Sequence, residues 1–195
     1  MRIVVVAAVA ATLGAAAPAL AQTDSQSPSY GGLYGNLGWS GTDAQGNWTH
    51  SITGRVGGRY GKYVGVEGEL SGGLSSDHYT FAPGTASATS VGVKQTLAGA
   101  VYGVGFLPLS PNFDLLARVG YGASRFNLNP SGFPSYHVNE HGLRYGAGAQ
   151  YFMGKNGLRV DWTRQDQNNF TDAADYYPPG SRHADVYAVT FAHKF

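Results

Sequence analysis

The 195-residue sequence contains no cysteine. That excludes a disulfide scaffold, and it removes the residue that would carry a lipid anchor after an export signal. Long hydrophobic runs are nearly absent too. The single one, Ile3 to Ala17, is shorter than the ~20 residues a spanning helix needs. Charge is scarce, at 13% Asp, Glu, Lys and Arg against ~25% in ordinary soluble domains. The signs balance at thirteen basic and twelve acidic residues, so the electrostatic footprint of a nucleic-acid binder is missing. No stretch after the hydrophobic run shows a helical period. No His-Glu-x-x-His or other matched ligand spacing occurs among the six histidines, so no metal site and no cofactor is expected.

The hydrophobic run has its own meaning. Arg2 precedes it, Pro18 ends it, and Ala19-Leu20-Ala21 follows as an A-x-A cleavage site. Residues 1–21 therefore read as a cleaved signal peptide, 22–29 as a short N-terminal segment and 30–195 as one domain. Removal of Arg2 leaves that mature chain formally neutral.

What the chain has in abundance is glycine (29), tyrosine (13) and a period of two. Eight alternating segments follow one another. Tyr30 to Gly41 sets Leu33, Leu37 and Trp39 against Tyr34, Asn36 and Ser40. Trp48 to Tyr60 sets Trp48, Ile52, Val56 and Tyr60 against Thr49, Ser51, Thr53, Arg55 and Arg59. Tyr63 to Ser71 sets Val64, Val66 and Leu70 against Gly65, Glu67 and Glu69. In Val91 to Phe106 both parities are apolar; Ala98, Ala100, Tyr102, Val104 and Phe106 are assigned outward, leaving Gln95, Gly99, Gly103 and Gly105 inward. Leu115 to Phe126 faces Leu115, Ala117, Val119 and Tyr121 outward, with Arg118, Gly120, Gly122 and Ser124 inward. Gly142 to Phe152 turns Arg144, Gly146, Gly148 and Gln150 inward, and Leu158 to Arg164 does the same with Arg159, Asp161 and Thr163. The last segment, Ala184 to Phe195, places Tyr187, Val189, Phe191 and Phe195 on one face and Ala188, Thr190, Ala192 and Lys194 on the other.

The connections alternate in length. Tight turns are expected at Gly61-Lys62, at Pro108 to Pro111 and at Gly154 to Gly157. Long loops are expected over Gly72–Ser90, Asn127–His141 and Gln165–His183, with a moderate one at Thr42–Asn47. Apolar residues outward, polar and small residues inward, and loops long on one side only are the pattern of an eight-stranded antiparallel transmembrane up-and-down β-barrel, an all-β fold.

Two stretches carry a family resemblance: Gly58-Arg-Tyr-Gly-Lys-Tyr-Val-Gly-Val-Glu-Gly-Glu-Leu70 and Gly105-Phe-Leu-Pro-Leu-Ser-Pro-Asn-Phe-Asp-Leu-Leu-Ala-Arg-Val-Gly-Tyr-Gly122. With the signal peptide and Phe195 they resemble the small OmpA-like or OmpX-type "porin family" outer-membrane barrels over the whole mature chain. The resemblance implies a place in the bacterial outer membrane, with short turns on the periplasmic side. It implies contact with outer-membrane lipid and lipopolysaccharide, and a C-terminal signal (Tyr187, Val189, Phe191, Phe195) addressed to the barrel assembly machinery. A peptidoglycan-binding domain like that of longer OmpA members is not expected, and no wall-tethering role is carried over.

The inward charges are the candidate site. Arg55 shares a face with Glu67 and Glu69 on strands joined by a tight turn, so it lies opposite or beside one of them. Arg118, Arg144, Arg159 and Asp161 extend the set, and Asp185 is added to it. An eight-stranded barrel is just wide enough to be filled by side chains, so these charges are expected to pair into a lumen network. Catalytic residue types occur in Ser75-Ser76-Asp77-His78 and in Ser135, His137 and Glu140, as in lipid A-modifying barrel enzymes, but they match no such motif. Aromatics in expected loops, Phe133, Pro134 and Tyr136 together with Phe170, Tyr176, Tyr177, Pro178 and Pro179, are possible contact points for a host or surface ligand. The expected function is an envelope-stabilising or surface-presenting barrel with a plugged lumen and no enzymatic turnover. The rival readings are a lipid A-modifying enzyme, a narrow channel and a soluble periplasmic β-barrel binder.

Overall fold

Alternation of large apolar and polar residues produces strands throughout the chain. The computed structural model describes residues 31–44, 47–74, 76–81, 89–130, 136–166 and 183–195. The expected signal peptide and N-terminal segment lie outside them. Among the described residues there are nine strands and no helix: β1 (Gly32–Ala44), β2 (Asn47–Tyr60), β3 (Val64–Gly73), β4 (Ser76–Phe81), β5 (Thr89–Ser110), β6 (Phe113–Pro130), β7 (Tyr136–Met153), β8 (Asn156–Asp166) and β9 (His183–Lys194).

All pairings between neighbouring strands are antiparallel, in the order β3-β2-β1-β9-β8-β7-β6-β5, and β3 pairs back onto β5 to close the ring. β3 and β4 lie successively along the same edge of β5, opposite Ala98–Gly105 and Thr89–Lys94. Nine strands thus make eight staves. β1 and β9 join over Tyr34↔Lys194 to Asp43↔Asp185. Closure leaves no sheet edge in contact with lipid, where each unpaired backbone group would cost several kcal/mol.

Exposure follows the pleat. Leu37, Ile52, Val56, Val64, Leu70, Val119, Leu158, Val160, Val189 and Phe191 are exposed on the outside. Glu67, Arg159, Thr53, Thr163 and Thr190 are almost completely buried inside. On β2 the exposed Trp48 and Tyr60 stand twelve residues apart. At ~3.3 Å per residue and a ~40° tilt this is about 30 Å along the barrel axis, near the height of a lipid-facing band.

Four expectations need correction. On the fourth stave the inward residues are Ala98, Ala100, Tyr102, Val104 and Phe106, all buried, while Gly103 and Gly105 are exposed. Hydropathy does not separate two apolar parities, and the large side chains are needed to fill the lumen. The long loops are shorter than expected, because β4, β5, β6 and β7 run into 72–90 and 127–141. There the backbone ladder continues through stretches rich in polar and turn-forming residues, which read as loops in the sequence. Pro108 is not part of a turn; it lies in β5 beside a register shift, and the turn is at Pro111-Asn112. A bulge is where a ladder tolerates proline. Asp185 does not face the lumen. It shares the outward parity of Tyr187 and pairs with Arg164 on the outside of β8.

Candidate functional site: the charged lumen

β2 and β3 set the site up through their register. The turn at Gly61, whose φ of 64° suits glycine, places Arg55 directly across from Glu69. Arg55 Nε donates to Glu69 Oε2 at 2.7 Å, and its Nη1 crosses the lumen to Asp161 Oδ2 at 2.6 Å. β8 contributes Arg159, which binds Glu67 with both terminal nitrogens, at 2.6 and 3.2 Å, and Asp161 Oδ1 through Nε at 2.9 Å. From β6, Arg118 Nη1 stands 3.2 Å from both Glu67 and Glu69. Its Nε and Nη2 both donate to Thr163 Oγ1. Arg144 of β7 donates to Ser124 Oγ at 2.8 Å, and its Nη1 lies 3.9 Å from Glu69.

Four guanidinium groups therefore surround three carboxylates. Glu140 is also inward and buried on β7, as the cross-strand partner of Ser124. Two phenols complete the acceptor shells: Tyr34 donates to Glu67 Oε2 at 3.0 Å and Tyr102 to Glu69 Oε1 at 3.2 Å. The ring of Tyr102 also lies 4.6 Å from the Arg118 guanidinium carbon. Pairing of this density is what a buried charge requires, since each unpaired ion costs several kcal/mol.

A second layer lies toward the tight-turn end. Arg59 Nη1 donates to Asp114 Oδ2 at 3.0 Å, and Gln150 Nε2 donates to the same oxygen at 2.8 Å. Phe106 receives the Arg59 guanidinium on its face at 4.3 Å and meets Tyr34 edge-on at 6.2 Å. Lys194 covers Phe152 at 3.8 Å. Asn36, 5% exposed and inward, has no hydrogen-bond partner for its amide among the described residues.

Glycine fits this packing closely. A Cβ at Gly122 would overlap the Arg144 guanidinium, and one at Gly148 would stand 2.7 Å from Asp161 Oδ1.

Arg55, Glu67, Glu69, Arg118, Arg144, Arg159 and Asp161 thus share one cluster. Sequence reasoning misses Asp114, Tyr34 and Tyr102 as members. Asp114 has the inward parity of Leu116 and Arg118 but precedes the alternating segment that starts at Leu115; Tyr102 carries the wrong facing of its stave. Of the catalytic types, Ser75 and Ser135 lie outside the described residues. His137 is exposed while Glu140 is buried, and their odd and even positions on β7 put them on opposite faces. The loop aromatics Phe133, Pro134, Phe170, Tyr176, Tyr177, Pro178 and Pro179 also lie outside the described residues. Tyr136 begins β7.

Comparison with known proteins fits this geometry. The family described as "Outer membrane protein beta-barrel domain" matches residues 7–193. The fold is similar to that of the outer membrane protein OprG from Pseudomonas aeruginosa (TM-score 0.60, 11% identity, 88% of this chain and 99% of that one). It is also similar to Neisserial surface protein A (0.55, 9%, 86% and 98%). A third similar structure is Ail, the attachment invasion locus protein of Yersinia pestis, crystallised with the heparin analogue sucrose octasulfate (0.54, 12%, 85% and 99%). Identities this low speak to the fold alone. Comparison with curated proteins gives no match.

Proposed function

Because this chain belongs to the outer-membrane protein β-barrel family and resides in the bacterial outer membrane, we propose that it is a structural envelope barrel, closed to ions, that presents its loops outward and performs no enzymatic turnover. The observation that carries the proposal is the buried network itself. Arg55, Arg118 and Arg159 cross the lumen at one level, tied to Glu67, Glu69 and Asp161. In a barrel this narrow such side chains leave no continuous water column. The aromatic layer of Tyr34, Phe106 and Phe152 narrows the periplasmic half further. Its partners in this reading are outer-membrane lipid and lipopolysaccharide, and the barrel assembly machinery, which reads Tyr187, Val189, Phe191 and Phe195. A host or surface ligand is taken by the outer loops, a reading in keeping with the heparin analogue held by the similarly folded Ail.

The test is steady conductance of the purified barrel in a planar bilayer. Absence of stable openings is expected, whereas large, ion-selective openings would replace this reading with a channel. Lipid A from a deletion strain is expected to keep its mass; a lost acyl group or other modification would restore the enzyme reading.

A further inference from the structure

All three tryptophans of the chain lie on one side of the barrel circumference, over β8, β9, β1 and β2. Trp162 is the cross-strand partner of Tyr187. Tyr187 stacks on Trp48 with ring centroids 5.7 Å apart and planes 27° apart. Trp39 follows, 5.6 Å from the ring of His50. Gly41 lies between them, opposite Tyr187. A Cβ there would come within 2.8 Å of Trp39 Cη2 and 3.1 Å of Trp48 Cζ3, so glycine is what lets the two indoles converge. Arg164 and Asp185 border the platform with a two-armed pair at 2.9 and 2.8 Å, and Trp162 Nε1 donates to Asp185 Oδ1 at 3.1 Å. On β6 the exposed Tyr121 faces Leu143 of β7, and Tyr145 of β7 adjoins the platform as the cross-strand partner of Arg164; neither strand carries an indole. A girdle serving only to mark the headgroup level has no reason to gather every tryptophan on one side.

We infer that this platform is a binding site for the sugar backbone of an acylated glycolipid of the outer leaflet. Three observations select that occupant. The rings face sideways from the wall, so a ligand reaches them within the plane of the membrane. Directly toward the membrane centre the same strands expose Leu37, Ile52, Val56, Val160, Val189 and Phe191, which suits acyl chains hanging from the sugar. Charge at this border is mostly acidic, with Asp43, Asp166 and Asp185 against Arg164; carboxylates accept from sugar hydroxyls, and an acidic border does not select phosphate. Flat aromatic faces meanwhile stack on the C–H faces of pyranose rings. This inference rests on the lipopolysaccharide partner and outward loops of the proposed function, and not on the plugged lumen.

Because the only indoles are in the platform, tryptophan emission reports on it directly. The whole barrel is placed in phosphatidylethanolamine nanodiscs with and without monophosphoryl lipid A, an acylated glucosamine disaccharide, and quenched with acrylamide. The glycolipid is expected to lower the quenching constant at least twofold. Trp48→Leu is expected to cut retention of glycolipid through purification about fivefold, while Tyr121→Leu, on β6 away from the platform, leaves it unchanged. Equal quenching in both bilayers would overturn the site. So would an equal loss from the Tyr121 control, which would make it a uniform girdle. Equal protection by the deacylated disaccharide would assign the platform to a free glycan, and stronger binding of the bisphosphorylated form would assign it to phosphate; either outcome refutes the proposal. The quenching of the unaltered protein stands even if a variant fails to assemble.

Discussion

Replacing Glu67 by Gln probes the lumen network at its most connected point. The carboxylate is fully buried and accepts from Arg159 twice, from Arg118 and from Tyr34. Gln keeps the shape and one carbonyl acceptor but removes the charge. Arg159, itself fully buried, is then left with Asp161 alone. Breaking a buried pair by neutralising one member costs about 3 to 5 kcal/mol, and the surviving carbonyl sets the expectation near the lower bound. Glu69→Gln added to it is expected to cost less than twice as much, because Arg118 touches both carboxylates and the two losses are not independent. Urea unfolding of the folded barrel in lipid or detergent micelles measures this, alongside the mobility shift between unboiled and boiled samples. The informative companion is Glu67→Leu combined with Arg159→Met, which removes the charges together and is expected to recover much of the loss. An unchanged midpoint in Glu67→Gln would show that these charges are solvated and would refute the argument.

Other outcomes follow from the same geometry. The chain has no native cysteine, so single cysteines report facing without background: Gly103→Cys is expected to react with a lipid-soluble maleimide and Tyr102→Cys to stay protected, and the reverse would restore the other facing of β5. Gly122→Val forces a branched side chain into the Arg144 guanidinium and is expected to destabilise by about 1 to 3 kcal/mol, seen as a lower unfolding midpoint; no change would mean that Arg144 yields freely. Deleting Phe195, or changing Tyr187 and Phe191 to Asp, is expected to leave the protein in the periplasm, and wild-type amounts of heat-modifiable barrel would count against a C-terminal address.

Most staves are legible in the sequence because one face meets lipid and the other a polar lumen, so period and chemistry agree. The placement of Arg55 beside Glu69 needs only parity and a tight turn. Val91 to Phe106 is illegible for the opposite reason. Its interior side chains are as apolar as its exterior, and what fixes the facing is Glu69 accepting from Tyr102 and Arg59 stacking on Phe106, both contacts between distant parts of the chain. Asp185 is misplaced when it is counted as a lumen charge without regard to the parity it shares with Tyr187. The ends of β6 and β7 escape notice since Asn127 to Asn129 and His137 to His141 keep pairing where polar residues predominate and single apolar ones, Leu128 and Val138, are too few to mark a strand.

The seam between β1 and β9 sets an order of events. Gly35 lies opposite His193, and the Phe195 amide donates to the Leu33 carbonyl at 3.1 Å, so the ring is sealed by residues more than 150 positions apart. No shorter product of the same message can complete itself: a chain cut anywhere before β9 keeps two open flanks and an incomplete lumen. Completion of the ring thereby waits on β9, and that one strand decides whether all the earlier ones become a closed wall or stay an open sheet.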